Sequence, residues 1–332
     1  MTDPIYRLSF DAAELFREHP PQLRHPNKVV LLDVAYPPGT RPSGRVEVTR
    51  WAGAVTEPLS LAAPLAADVR PDFYDYRPAP GAPGAAVEWH VNFADPRLFG
   101  AYGSALFAQD EMQAAEHPLL GSVREALLAR GLAAKTADET GPTPVLVRNV
   151  ERRLEIDTRP DPAAGRPAGL YGNRFGAATA DVVRRAARRV DPPAYSNIIA
   201  MAAPAGGRGD YLPGDVRAIL KTAITAFSAA RAESGDGGVA PRATVIHTGF
   251  WGCGAFGGNR KLMIALQSLA ARAAGVDRLV LHAGDAGGVD DATRGLEVGG
   301  SVAGKCGPRA GFHDVVERCA MLGYRWGVSD GN

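Results

Sequence analysis

Five glycines within ten residues, Gly249, Gly252, Gly254, Gly257 and Gly258, separate an apolar strand pattern from a long amphipathic pattern, and no other segment restricts the fold as tightly. Arg242–His247 (RATVIH) has the β-branched, apolar character of a buried strand. From Arg260 onward apolar residues recur at helical spacing, and Asn259 suits the N-cap before them. A strand, a glycine turn and a helix start in this order aim several backbone N–H groups at one point, where the helix dipole favours an anion. The ligand class implied is a nucleotide diphosphate. Trp251 and Phe256 lie among the glycines, and two large rings there suit stacking on a base or ribose.

Other readings of the same loop stay open. A glycine-rich turn can merely pack a helix on a sheet. Read literally, Gly252-Cys253-Gly254-Ala255-Phe256-Gly257 is also a GxGxxG with Asp285 past the next apolar run, which fits a nicotinamide-dependent oxidoreductase. The late position of these glycines and the lack of a separate hydride-transfer constellation disfavour that reading.

Upstream, Val91-Asn92-Phe93-Ala94-Asp95 ends a strand pattern, Phe99-Gly100-Ala101 follows, and Gln109-Asp110-Glu111 comes next. Together with residues 248–285, these segments resemble the poly(ADP-ribose) glycohydrolases, whose catalytic domain is an elaborated macrodomain. In that family the strand reads approximately VDFAN, the loop carries three glycines and the catalytic motif is QEE; the segments here align in order without a gap. The resemblance implies an α/β class chain with a three-layer α/β/α macrodomain-like fold, a mixed sheet and an N-terminal extension. It implies a hydrolase of ADP-ribose conjugates that needs no cofactor, with Glu111 as catalytic acid beside Gln109 and Asp110. Around the substrate it places Asn92, Asp95, Gly100, Ala101, Gly249, Trp251, Gly252, Cys253, Gly254, Ala255 and Phe256. A family tyrosine stacks on adenine from a loop between the catalytic helix and the glycine loop; Tyr171 and Phe175 are the candidates by position, with Asn173 beside them. The departures are specific: Asn92 and Asp95 exchange the family's Asp and Asn, Gly100 alone survives of three glycines, Asp110 replaces Glu, Phe250 replaces Asn, and Asn259 replaces Asp. A divergent member with a modified substrate pocket is expected.

The chemistry stands without the family. Cleavage at a ribose anomeric carbon passes through an oxocarbenium-like state, so the site needs an acid for the departing oxygen and negative charge near the sugar. Glu111, protonated at rest, can give its proton to the leaving group and then take one from the attacking water. Apolar neighbours such as Leu106, Phe107 and Met112 would raise its pKa, and a helix N-terminus would oppose the shift. On a helix over residues 104–116, Asp110 and Glu111 diverge by about 100°, which rules against a facing acid and nucleophile pair. Gln109 or Asp110 is then suited to hydrogen-bond ribose hydroxyls. A solvated helix face is the bland alternative for QDE, and a noncatalytic ADP-ribose reader is the alternative function.

The charge is nearly balanced, with 37 Lys and Arg against 36 Asp and Glu, which argues against general nucleic-acid binding. No apolar run is long enough to cross a membrane and the first residues lack a signal-peptide pattern, so a soluble cytoplasmic protein is expected. Expected partners are ADP-ribose or ADP-ribosylated protein, nucleic acid or small molecule. Cys253, Cys306 and Cys319 are too scattered for a disulfide framework or a zinc site. Cys253 is read as a small packed residue, although an N–H-rich loop can lower a thiol pKa. His90 and His247 read as core or pocket-wall residues and His282 as a cleft-edge residue; no metal is expected.

The chain divides into an N-terminal accessory segment, 1–85, packed on the core, and a macrodomain-like domain, 86–332. The first contains a helix near Asp11–Glu18, strands at Lys28–Val34 and Arg45–Thr49, and Pro/Gly connectors at 37–44 and 76–84. The second contains a strand at 86–95, helices at 104–116 and 121–131, a strand at 144–150, a loop at 158–174, a basic helix at 180–190, a strand at 196–203 and a helix at Pro213–Glu233. Arg184, Arg185, Arg188 and Arg189 read as one basic helix face. Strands alternating with helices point to a sheet between helical layers.

Overall fold

The computed structural model describes residues 3–53, 55–79, 86–235 and 243–331. The first elements are β1 (Tyr6–Asp11), α1 (Ala12–Glu18), α2 (Pro26–Ala35), β2 (Arg45–Arg50), β3 (Leu59–Ser60), β4 (Ala66–Arg70) and β5 (Val87–Ala94). Then come α3 (Gln109–Glu116), α4 (Leu119–Ala129), β6 (Ala137–Asp138), β7 (Gly141–Pro142), β8 (Val145–Ile156), α5 (Arg174–Ala177), α6 (Ala180–Ala186) and β9 (Ala187–Ala202). The last are α7 (Pro213–Glu233), β10 (Thr244–Gly249), α8 (Arg260–Ala274), β11 (Arg278–His282), α9 (Ala286–Cys306), β12 (Arg309–Ala310) and α10 (Phe312–Ala320).

Eight strands form one mixed sheet in the order β1-β2-β8-β9-β5-β10-β11-β4. From β1 to β9 neighbours are antiparallel; from β9 to β4 they are parallel. Alternation along the strands sends side chains to two cores. Leu146 and Ile199 join Trp89, Val91 and Ile246 on one face, against α7, α8 and α10. Val145, Val147, Ile198 and Ala200 face the other way, against α1 and α4. This is the three-layer α/β/α arrangement with a mixed sheet.

Residues 1–85 supply β1, β2 and β4, which stand at both edges of this sheet. Where a strand was expected at Lys28–Val34, the chain forms α2, because Pro26 occupies its first turn and His25 accepts the Asn27 N–H as N-cap. The helix expected at 104–116 starts only at Gln109, so QDE occupies the first turn of α3. The basic helix ends at Ala186, where the chain begins to pair with β8, Ala187 opposite Ile156; Arg188 and Arg189 therefore lie on β9, apart from Arg184 and Arg185 on α6. Residues 80–84 of the expected connector, and Arg242, lie outside the described residues.

The helix after the glycine loop is fixed by close packing. A Cβ on Gly295 of α9 would lie 2.6 Å from Ile264 Cβ and 2.7 Å from the Lys261 carbonyl oxygen on α8, whereas one on Gly300 would meet nothing within 4 Å. Gly295→Ala is expected to destabilise the protein by about 1–3 kcal/mol through overpacking, and Gly300→Ala to stabilise it by about 0.5–1 kcal/mol through helix propensity. Urea unfolding of the two variants checks the contrast.

Candidate active site

The site begins where two parallel strands part. β5 and β10 pair only from Val87 opposite Thr244 to His90 opposite His247, although β5 stays paired with β9 as far as Ala94 and β10 with β11 as far as Gly249. Beyond His90 the backbone groups of β5 need another partner. Gln109 supplies it: the Phe93 N–H donates to its Oε1 (2.7 Å), and its Nε2 donates to the Val91 carbonyl (3.1 Å). On the other bank, Gln267 Nε2 donates to the Gly249 carbonyl (3.0 Å). The Gln109 amide is thus a substitute rung of the sheet rather than a group free for a ribose.

The clamp sets the first turn of α3 against β5. Asn92 Nδ2 donates to Asp110 Oδ1 (3.1 Å), and the Ala108 N–H donates to Glu111 Oε2 (3.0 Å). Both carboxyl groups are buried, at 6% and 4% exposure. Burial raises the pKa of each; for Asp110 the Glu111 charge adds to the rise and the Asn92 hydrogen bond opposes it, leaving it at about 8. For Glu111 the charge of Lys28 is the main opposing influence, followed by backbone N–H groups. The expected direction for Glu111 and the expected opposition from the helix start are both present.

Sequence alone does not single out Lys28, because its segment has strand-like residues and a single lysine in an apolar run carries no motif. It is buried at 3% exposure, its Nζ donates to the Tyr102 carbonyl (2.8 Å), and it lies 4.9 Å from the Phe107 ring centroid and 5.6 Å from that of Phe175. Burial lowers its pKa to about 8 against the opposing pull of Glu111 and Asp110. The signal available in the sequence was Pro26 just ahead of it, a helix start that would have turned Lys28 inward with Leu31 and Ala35.

Tyr171 joins this cluster from the loop before α5. Burial lifts its pKa to about 12, the charges of Asp330 and Glu111 adding and a hydrogen bond with the Gln109 backbone opposing. Asn27 Nδ2 bonds to the carbonyls of Phe175 and Ala178, which fixes α2 to the same loop. The glycine loop lies across the cleft. Gly252 and Gly257 have φ of 76° and 64°, and Asn259 Oδ1 accepts the Leu262 N–H as N-cap of α8. Within the loop the N–H groups of Trp251, Cys253, Gly257 and Gly258 bond to carbonyls, and those of Gly254, Ala255 and Phe256 are outside this set. The segment 325–331 crosses the loop: the Gly327 N–H donates to the Gly257 carbonyl (2.8 Å), and Asn173 Nδ2 donates to the Gly331 carbonyl (3.2 Å). Asp330 Oδ2 comes within 3.0 Å of where a Cβ on Gly254 would stand.

Residues 171–286, which hold Tyr171 and the entire glycine loop, match the family model described as Poly (ADP-ribose) glycohydrolase (PARG), Macro domain fold. This segment is similar to the poly(ADP-ribose) glycohydrolase family. Solved structures are similar at low identity. The poly(ADP-ribose) glycohydrolase from Thermomonospora curvata is 16% identical, with 82% of this chain and 100% of that chain covered and a TM-score of 0.48. Its form bound to the inhibitor ADP-HPD gives 16%, 82%, 99% and 0.47. The Deinococcus radiodurans glycohydrolase in complex with ADP-ribose is 14% identical, covering 88% of this chain and 94% of that chain, with a TM-score of 0.42. No curated protein matches the sequence.

Several expected positions of the matched segment have other duties. Trp251 is fully buried and its indole N–H donates to the Met201 carbonyl (3.0 Å), so its ring belongs to the core rather than to a base. Phe256 is partly buried against the same core, and Ala255 is exposed. Burial pushes the Cys253 thiol well up, opposite to the lowering an N–H-rich loop can cause. Upstream, the Asp95 carboxylate accepts the Arg97 N–H (2.9 Å) at the surface, and the Gly100 N–H donates to the Arg97 carbonyl (2.8 Å). Phe99 takes a left-handed φ of 49° with its ring fully buried, and Ala101 follows in the same turn, its carbonyl accepting the Ser104 N–H (2.9 Å). The structure brings Asn92, Gln109, Asp110, Glu111, Lys28 and Tyr171 together; Asp95, Gly100 and Ala101 belong to the adjoining loop.

A carboxyl whose folded pKa lies above its unfolded value destabilises the fold increasingly as pH rises between the two. For Asp110 the window runs from about 4 to about 8. Asp110→Asn removes that penalty, so its stability relative to the parent should improve by more than about 1 kcal/mol between pH 5 and pH 8. Urea unfolding at the two pH values measures it.

Proposed function

We propose that this protein hydrolyses the ribosyl O-glycosidic linkage of ADP-ribose conjugates, with Glu111 as general acid and then general base. The observation that carries the reading is the buried cluster of Glu111 and Asp110, in the first turn of α3, with Lys28 of α2, next to Tyr171 and facing a glycine loop similar to that of the glycohydrolase family. Burial favours the protonated carboxyl at Glu111, the state an acid needs before it acts. Its proton passes to the departing oxygen as the anomeric C–O bond breaks. The carboxylate left behind is stabilised by Lys28 and by the Ala108 N–H, and faces the positive charge on the ribose. A water then bonds to the anomeric carbon and yields its proton to Glu111, so one water is consumed and ADP-ribose leaves with a new hydroxyl. Asp110, held by Asn92 and kept largely protonated at neutral pH by its burial, stands beside Glu111 without displacing it from that role. The diphosphate lies along Gly249, Gly252 and Gly254–Phe256, and Tyr171 flanks the sugar or base.

Glu111→Gln is expected to reduce ADP-ribose release from poly- or mono-ADP-ribosylated protein by about 10²–10⁴-fold, with ADP-ribose affinity by calorimetry kept within about threefold. A folded parent that binds ADP-ribose and releases none is instead a reader. Asp330→Asn should tighten ADP-ribose binding by about fivefold, because removing a carboxylate beside Gly254 removes repulsion from a diphosphate. Unchanged affinity in that variant would move the diphosphate away from Gly254.

A further inference from the structure

On the sheet face that carries Asn92, one step back from the cleft, three histidines and a glutamate converge. His90 and His247 are paired residues of β5 and β10, and their rings stack with centroids 4.4 Å apart. Glu88, two residues before His90 on the same face, has Oε2 3.0 Å from His247 Nε2 and accepts the Ala79 N–H on Oε1 (2.9 Å). His247 Nδ1 lies 3.2 Å from Nε2 of His282 on β11. Tyr74 stacks on His282 at 4.6 Å and Tyr76 covers His90 at 4.7 Å, so residues 72–79 roof the group where a helix would otherwise lie.

Glu88, His90 and His247 each offer a ligand atom, and these atoms lie within 4.8 Å of one another. His90 is 5% exposed, and neither of its ring nitrogens makes a hydrogen bond of ordinary geometry, although the Asn197 backbone stands close to the ring. Leaving such a group unpaired costs about 1–3 kcal/mol, which a native interior ordinarily avoids.

We propose that Glu88, His90 and His247 form a binding site for a divalent first-row transition metal of the zinc type. Two imidazoles and a carboxylate suit zinc and disfavour magnesium and calcium, which prefer oxygen donors throughout. Metal–ligand bonds of about 2.1 Å put ligand atoms roughly 3.4 Å apart in a tetrahedron, so the widest ligand pair needs to close by up to about 1.4 Å, through the soft terminal torsions of His and Glu. The close Glu88–His247 contact then becomes two ligands of one ion. His247 Nδ1 donates to His282 Nε2, the outer hydrogen bond that ligating imidazoles usually make. A water completes the coordination, and the ion fastens β5 to β10 at their last shared rung.

The test uses the full chain, free of any affinity tag and stripped with chelator, incubated with zinc chloride and, separately, magnesium chloride, then desalted for metal analysis and thermal unfolding. About one zinc per chain and a higher Tm with zinc alone are expected. His90→Phe and His247→Phe keep a ring in place and remove the donor, so each should lose the zinc and the Tm rise. A parent that retains less than about 0.1 zinc per chain, or folded variants that bind as the parent does, overturns the site. Should both variants fail to fold, cobalt loading of the parent decides: visible bands of tetrahedral nitrogen and oxygen coordination support it, and their absence overturns it.

Discussion

The early end of the β5–β10 ladder governs this molecule. Two parallel strands that pair through His90 and His247 and then separate leave backbone donors and acceptors facing a gap, and buried backbone groups are costly to leave unpaired. Gln109 bonds to a donor and an acceptor of β5 as a strand would, Gln267 donates to the Gly249 carbonyl, and the Tyr74 hydroxyl donates to the His247 carbonyl. One consequence is a cleft at the carboxyl ends of the parallel strands, where ligands of open α/β sheets bind. Another is that the first turn of α3 is fixed to β5 by its opening residue, so Asp110 and Glu111 have little freedom in where they point.

That placement makes the charges expensive. Two carboxyl groups and one lysine sit in the same buried space, and burial moves all three pKa values toward neutrality. A fold optimised for stability alone would have apolar residues there. Retaining a cluster that holds its protons near neutral pH is the pattern expected of a site that moves protons. Lys28 limits the cost by remaining close to both carboxyl groups while its donor reaches the Tyr102 carbonyl.

The sequence made the glycine loop, its N-cap at Asn259, the helix after it, and α7 legible, because each rests on local chemistry: glycine torsions, an Asn side chain, apolar periodicity, and a proline at a first turn. The QDE segment was found through resemblance, and the pKa direction for Glu111 followed from its apolar neighbours. What stayed hidden depends on distant contacts. Lys28 becomes important only because α2 packs beside α3, and α2 was mistaken for a strand because Val29, Val30 and Val34 favour β structure locally while tertiary packing prefers a helix. Trp251 looked like a stacking ring because its neighbours are glycines, but the Met201 carbonyl on β9, fifty residues earlier in the chain, claims its N–H. The crossing of residues 325–331 over the loop left no local trace at all.

The sequence places His90 and His247 in the core or pocket wall and His282 at the cleft edge, but their convergence is hidden for the same reason, since the spacing 90, 247 and 282 has no meaning until parallel strands align them. Their position matters more than their number. His90 and His247 form the last rung before the strands separate, Asn92 is two residues further along β5, and Gly249 is two further along β10. At about 3.3 Å per residue, a clamp on that rung stands roughly 7 Å behind both banks of the cleft. Any group that fixes the distance between His90 and His247 therefore also fixes how far Asn92, with Asp110, stands from the start of the glycine loop. In the metal-bound form the ion would occupy the hinge of the cleft, positioning the acid and the diphosphate loop relative to each other while touching neither.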